Sequence, residues 1–329
     1  MRRPERGFAL IQVLLVFALL AVIVARLQYQ QRIQLERAIQ GQSTSQVQTC
    51  IDSAEAIAKV GLRLEVQQAS PEQLKQLMDE SGTLYLPPFP LSECRMTVSR
   101  YDLQGRFNLN WLHPAAANPE GATAGFKRLL LELELDEGIA DELQQWFDSD
   151  SGAEFNYIDQ EPSYRPSFMP MADTSELHLL KAVSADDYSA LAPYVSALRP
   201  DEPLNINVAS SEALMTLAPF ISREDADGLI EQRGVDGFDR VDDLLNLNLF
   251  QENDDTPMYN EQLSVTSNWF DLDVTAQLNL EEPGNNVKLR QVSRLYRTEG
   301  DAQVIVNLRT QAVNDLDSSL SDKEEGSTE

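Results

Sequence analysis

From Phe8 to Ala25 the chain reads FALIQVLLVFALLAVIVA, a run in which Gln12 is the one polar residue. As a helix it is about 27 Å long, close to the thickness of a hydrocarbon core, so it can span a bilayer. The next stretch, RLQYQQRIQLERAIQ, has no Pro or Gly before Gly41 and is rich in Gln, Arg, Leu and Glu, which predicts one helix continuing out of the membrane. Helix is predicted again through SQVQTCIDSAEAIAKVGLRLEVQQ, then a short helical piece after Ser70-Pro71, then PPFP as a breaker. In CRMTVSRYDLQGRFNLNWL the alternation of Met96, Val98, Tyr101 and Leu103 predicts a strand and a hairpin, with its turn at Gln104-Gly105.

Helical patterns dominate from Ala124 to about Phe250: FKRLLLELEL, IADELQQWFD, ELHLLKAV, DDYSALAPYVSAL, SSEALMTLA, EDADGLIEQR and VDDLLNLNLF. Strand alternation returns in QLSVTSNWFDLDVTAQLNL, NVKLRQVSRLYRT and AQVIVNLRTQAV, with a turn at Pro283-Gly284-Asn285-Asn286. A tandem of two domains would leave the early strand without partners. The pattern therefore predicts one α+β unit, an antiparallel sheet interrupted by a large all-α insertion. The closing NDLDSSLSDKEEGSTE is acidic, lacks aromatics and reads as a solvated tail.

Charge narrows the function classes. With 53 acidic against 26 basic residues, a formal net charge of -27, the long-range field repels nucleic acid and favours metal cations. Cys50 and Cys94 lack C-x-x-C spacing, which excludes a zinc framework or a thioredoxin-type dithiol. They pair as one disulfide if the body lies outside the cytoplasm, or stay two buried thiols.

Removal of the apolar run as a secretory signal is disfavoured, because Ile23 and Leu19 occupy the minus-three positions before Ala25 and Ala21. Arg2, Arg3 and Arg6 before the span are matched by Arg26, Arg32 and Arg37 after it, so charge asymmetry barely orients it. A short basic leader ending in Gly7, then Phe8, the apolar run and its amphipathic continuation resemble the class III signal of type IV pilins and type II secretion pseudopilins. In such proteins a prepilin peptidase cuts after the glycine, here at Gly7-Phe8, methylates the new N-terminus and leaves the helix in place. Most pilins carry Glu at the fifth mature position; here it is Gln12, which cannot pair with a neighbour's terminal amine. Lack of that carboxylate is harmless at a fibre tip and is a mark of the minor pseudopilin K family. GRFNLNWL and LNINVA also resemble segments of that family.

Three other constellations bear on chemistry. WFDSDSGAEFNY concentrates Asp148, Asp150 and Glu154 around Gly152, a set of hard oxygens that suits Ca²⁺, although the spacing departs from an EF-hand; the plainer reading is an acidic helix end and loop. The K family binds calcium in its helical domain, which implies a structural site here, with Asp173 and Glu176 as further ligands. The segment Leu204 to Leu247 resembles a helix-hairpin-helix, the basis for an alternative reading as a membrane-anchored nucleic-acid receptor. Its hairpin, APFISRED, lacks glycine and sets Glu224 and Asp225 where phosphate would approach, so it reads as packing. His113 and His178 are the only histidines and match no catalytic motif, so no enzyme is predicted.

The resemblance thus implies a leader at 1-7, a transmembrane helix at 8-25, the N-terminal helix and first strands of a pilin-like domain at 26-112, the helical insertion at 113-258, the remaining strands at 259-312 and an acidic tail at 313-329. It implies a single-pass protein of the Gram-negative inner membrane with a periplasmic body. The expected partners are minor pseudopilins I and J and the prepilin peptidase, at the tip of the pseudopilus that exports folded proteins.

Overall fold

A computed structural model describes residues 6–68, 83–234, 236–253, 262–278, 287–298 and 303–314. The first element, α1 (Arg6–Gln68), is one helix of 63 residues, about 95 Å long. Gly41 and Gly61 lie within it with open space around them, so each weakens the helix locally without breaking it. Val47, Ile51, Ala54 and Leu62 are buried, together with Cys50, and with the half-buried Ala58 they recur at three- to four-residue spacing. That stripe docks on Met96, Val98, Leu272, Val274 and Leu289 of a sheet.

The sheet strands are β1 (Leu84–Leu91), β2 (Cys94–Asp102), β7 (Trp269–Leu278), β8 (Lys288–Arg297) and β9 (Val304–Asn314), all antiparallel in the order β1-β2-β7-β8-β9. Two expectations need correction here. PPFP does not break the chain: it lies inside β1, with a register shift between Leu86 and Phe89. β1 is an edge strand, where a missing N–H costs no ladder bond. Gln104-Gly105 is not a hairpin turn either, because β2 turns back on β1 through Ser92, whose φ is 55°. The short helical piece after Ser70-Pro71, the turn at Pro283 to Asn286, and residues 1–5 and 315–329 of the leader and tail lie outside the described residues.

Two covalent or ionic ties fasten α1 to the sheet. Cys50 and Cys94 form a disulfide. Glu55, 2% exposed, receives Arg309 at 2.7 and 2.9 Å, Lys59 at 2.7 Å and Ser293 Oγ at 2.8 Å. Burial alone would raise its carboxyl, but the hydrogen bonds from Arg309, Lys59 and Ser293 outweigh it and lower the group from 4.5 to about 2. Its stabilisation is therefore complete above pH 4.5 and lost as the pH falls towards 2. A lowering of this size corresponds to about 3 kcal/mol. We expect Glu55→Gln to lower the urea midpoint at pH 7 and to flatten the acid limb of the stability curve between pH 4.5 and about 2.

Between β2 and β7 the chain builds a helical body. Its longer helices are Pro119–Glu132, Gly138–Phe147 and Arg223–Arg233. Asn118 caps the first by accepting from Gly121 N, with Pro119 at the opening position. Their apolar faces enclose Phe107, Trp111, Phe126, Trp146, Leu177 and Leu229 in one core. ELHLLKAV, expected as α-helix, begins within a 3₁₀ segment, Thr174–Leu179. The result is an α+β fold with a long N-terminal helix on an antiparallel sheet and a helical body spliced into it. The splice is narrow: Asp102 pairs with Phe270, and Leu103 N donates to Trp269 O at 3.1 Å, so the chain leaves and re-enters the sheet at adjacent positions.

Candidate functional site

α1 divides into two halves. From Ser43 on it is packed against the sheet, whereas residues 11–42 are almost wholly exposed, including Phe17 at 69% and Leu15 at 66%. The helix is long and apolar enough to cross a membrane, with none of its most apolar window buried. An uncovered apolar rod of this length needs lipid or other helices around it. Gln12 lies on this exposed half, and Gly7 and Phe8 lie in its first turn.

The helical body is fixed to the sheet by a junction that joins the two motifs seen in the sequence. GRFNLN supplies β3 (Phe107–Asn108), which pairs in parallel with β4 (Val195–Ser196). LNIN supplies β5 (Leu204–Asn205), parallel to β6 (Leu263–Ser264). Asn205 N donates to Gln104 O at 2.7 Å, and a Cβ on Gly105 would sit 2.7 Å from Val208 O. The asparagines are buried or half-buried cross-links. Asn108 receives Leu198 N and donates to Arg199 O; Asn110 receives Met171 N and donates to Met171 O and Leu198 O. Asn207 receives Phe238 N and donates to Phe238 O and Val265 O. An amide that both donates and accepts can close a loop's backbone groups in this way; Asp or Leu cannot. Gly105→Ala should cost about 1–3 kcal/mol through the forced separation of backbone from backbone, read as a fall in urea midpoint.

Arg294 of β8 completes the junction. Its guanidinium donates to Asp271 at 2.9 and 3.1 Å, Asp173 Oδ2 at 3.0 Å, Ala172 O at 2.7 Å and Ala197 O at 3.3 Å. Burial alone would lower its proton affinity, but the flanking Asp271 and Asp173 carboxylates raise it, so the cation persists inside the protein.

The acidic turn departs from the expected ligand set. Among the described residues no three His, Cys, Asp or Glu side chains are gathered as a metal site. Asp173 caps the segment Thr174–Leu179 and is ion-paired with Arg294, while Glu176 accepts from Ala172 N and Asp173 N. In this structure both carboxylates thus serve a capping box, and Asp173 also serves the junction. Asp148, Asp150 and Glu154 remain on one turn, where Asp148 Oδ1 accepts from Asp150 N and Gly152 has φ 71°. Glu154 Oε2 is inaccessible and has no hydrogen-bond partner among the described residues.

The helix-hairpin-helix resemblance does not produce a phosphate cradle. Ser222 and Asp225 form a capping box at the start of Arg223–Arg233, in which Asp225 N donates to Ser222 Oγ and Ser222 N donates to Asp225 Oδ2. Arg223, the nearby cation, is bound by Glu132 and Glu212. His113 Nδ1 accepts from Ala115 N, and His178 stacks on Tyr188 at 4.1 Å.

Comparison with known proteins bears directly on this junction. A family model described as type II secretion system (T2SS), protein K matches residues 105–201, and a second of the same description matches residues 204–266. Type II secretion system protein K of Pseudomonas aeruginosa is 34% identical over 259 residues, covering 74% of this chain and 77% of that protein. The chain belongs to the type II secretion system protein K family. Protein K of Aeromonas hydrophila is 28% identical, over 72% of this chain and 78% of its own. The fold is also similar to a chain in the crystal structure of the GspK-GspI-GspJ complex of enterotoxigenic Escherichia coli, with TM-score 0.68 and 26% identity, covering 84% of this chain and 99% of that one. The protein K models begin at the junction glycine, Gly105, and end between β6 and β7, so they fall on the spliced body.

Proposed function

We propose that this chain is a minor pseudopilin at the tip of the type II secretion pseudopilus, where it assembles with minor pseudopilins I and J to start or cap the fibre. The uncovered apolar half of α1, rigidly continuous with a half locked to the sheet, carries the reading. Such a rod rests first in the inner membrane, with the body in the periplasm, and then packs against partner helices as the subunit enters the fibre. Gln12 offers no carboxylate to a subunit above it, which suits an end position. A relative has been crystallised as the GspK-GspI-GspJ complex, which supports the choice of partners. No catalytic role is assigned. Processing falls at Gly7-Phe8, by the prepilin peptidase.

Immunogold labelling of pseudopili is the decisive test. Label at one end is expected; label distributed along the shaft overturns the reading. N-terminal sequencing of the protein from a peptidase-competent host should begin at Phe8.

The 148–154 turn is the proposed place for a structural Ca²⁺, held by Asp148, Asp150 and Glu154 with backbone carbonyls. A bound cation there would offset repulsion among the acids and order the turn. With free Ca²⁺ about 100-fold above Kd, its removal should cost about 3 kcal/mol. Chelation is expected to lower the melting temperature of the wild type and to leave Asp150→Ala unmoved; equal melting with and without chelator refutes the site.

A further inference from the structure

The face of the sheet opposite α1 holds a pocket of about 390 Å³ lined by Pro88, Arg95, Thr97, Thr275, Gln277 and Lys288. Strand register explains why they meet: Arg95, Gln277 and Lys288 form one cross-strand row on β2, β7 and β8, and Thr97 and Thr275 lie in a parallel row on the same face. Arg290 stands beside Thr275, but its charge is answered by Asp273 at 2.7 to 3.1 Å. Arg95 and Lys288 are exposed and make no ion pair among the described residues. A guanidinium, an ammonium, two hydroxyls and an amide in one concavity are a donor set for an anion.

The row continues one strand further. Lys288 is the register partner of Asn314, the last residue of β9. The chain then runs on as DLDSSLSDKEEGSTE, residues 315–329, with Asp315, Asp317, Asp322, Glu324, Glu325 and Glu329 against Lys323 as its one base. At about 4.8 Å per strand, Arg95 is roughly 14 Å from the end of β9. Fifteen residues reach up to about 50 Å. We propose that the Arg95–Lys288 pocket is an anion-binding surface whose occupant is the acidic segment 315–329 of the same chain.

Charge complementarity and tethering both favour this occupant. Because the segment is covalently joined to the end of β9, its carboxylates meet the pocket at an effective concentration of about millimolar, above that of a separate acidic protein. Contacts between exposed charges are weak and screened, so the strap is reversible and salt-dependent.

A fluorescent synthetic peptide of residues 315–329 tests this on the full-length protein in detergent at low salt. It is compared with a variant carrying Asp315→Asn, Asp317→Asn, Asp322→Asn, Glu324→Gln, Glu325→Gln and Glu329→Gln, which leaves every described element intact. The peptide should bind the neutralised variant at least about tenfold more tightly than the wild type, whose pocket is already filled. Arg95→Glu with Lys288→Glu, added to the neutralised variant, should abolish that binding. Equal affinity for wild type and variant, binding that survives the charge reversal, or no binding to either overturns the proposal. Displacement of the peptide by inorganic phosphate at peptide-like concentrations would also overturn it, by reassigning the pocket to a small anion.

Discussion

Replacing Arg294 with Met is expected to lower stability by about 3–5 kcal/mol, the range for breaking a buried pair while leaving its partners in place. The side chain is 6% exposed and serves two carboxylates and two carbonyls, so its loss strands Asp271 against the sheet and frees Asp173 at the edge of the helical body. The consequence should be mechanical as well as energetic. The helical body has its own core around Phe107, Trp111 and Phe126, and the sheet has a separate one under α1, so weakening the bridge should split a single urea transition into two. Arg290→Ala is the control. Arg290 also grips one carboxylate bidentately, but it is 53% exposed, and its loss should cost under about 1 kcal/mol with no splitting. Equal effects of the two substitutions would show that Arg294 does not act as a bridge.

The second large effect concerns Cys50 and Cys94. Joining residues 44 apart removes loop entropy from the unfolded chain, which in the chain-entropy model amounts to about 4 kcal/mol. The bond ties α1, near the start of its packed half, to the first residue of β2. A double Cys50→Ser, Cys94→Ser protein should have a urea midpoint lower by that amount. Reductant should bring the wild type down to the same value and leave the double variant unchanged. A disulfide of this kind persists outside the reducing cytoplasm, which accords with a periplasmic body.

Much of this architecture could be read from local pattern. Runs of good helix formers on either side of Gly41 foretold the helix of α1, and period-two alternation foretold β7, β8 and β9, because both signals depend only on neighbours in sequence. PPFP misled because its meaning depends on position in the sheet: three prolines are tolerable on the outer strand and would be ruinous on β7. Gln104-Gly105 misled because Gly105 serves a close approach to Val208, a contact made across roughly a hundred residues. The local role of Asp173 and Glu176 was also legible. Asp173-Thr-Ser-Glu176 has the spacing of a capping box, which competes for the same carboxylates as a metal. The roles of Asn108, Asn110 and Asn207 had no local signal, since their partners lie in distant loops.

Because the polypeptide departs after Asp102 and returns at Trp269 on adjoining rungs of the ladder, everything between is topologically a graft. The host strands need no rethreading to accept it, enlarge it or shed it. A lineage could therefore remodel the bulky crown of such a subunit freely while its stem kept the dimensions required to stand among slimmer relatives.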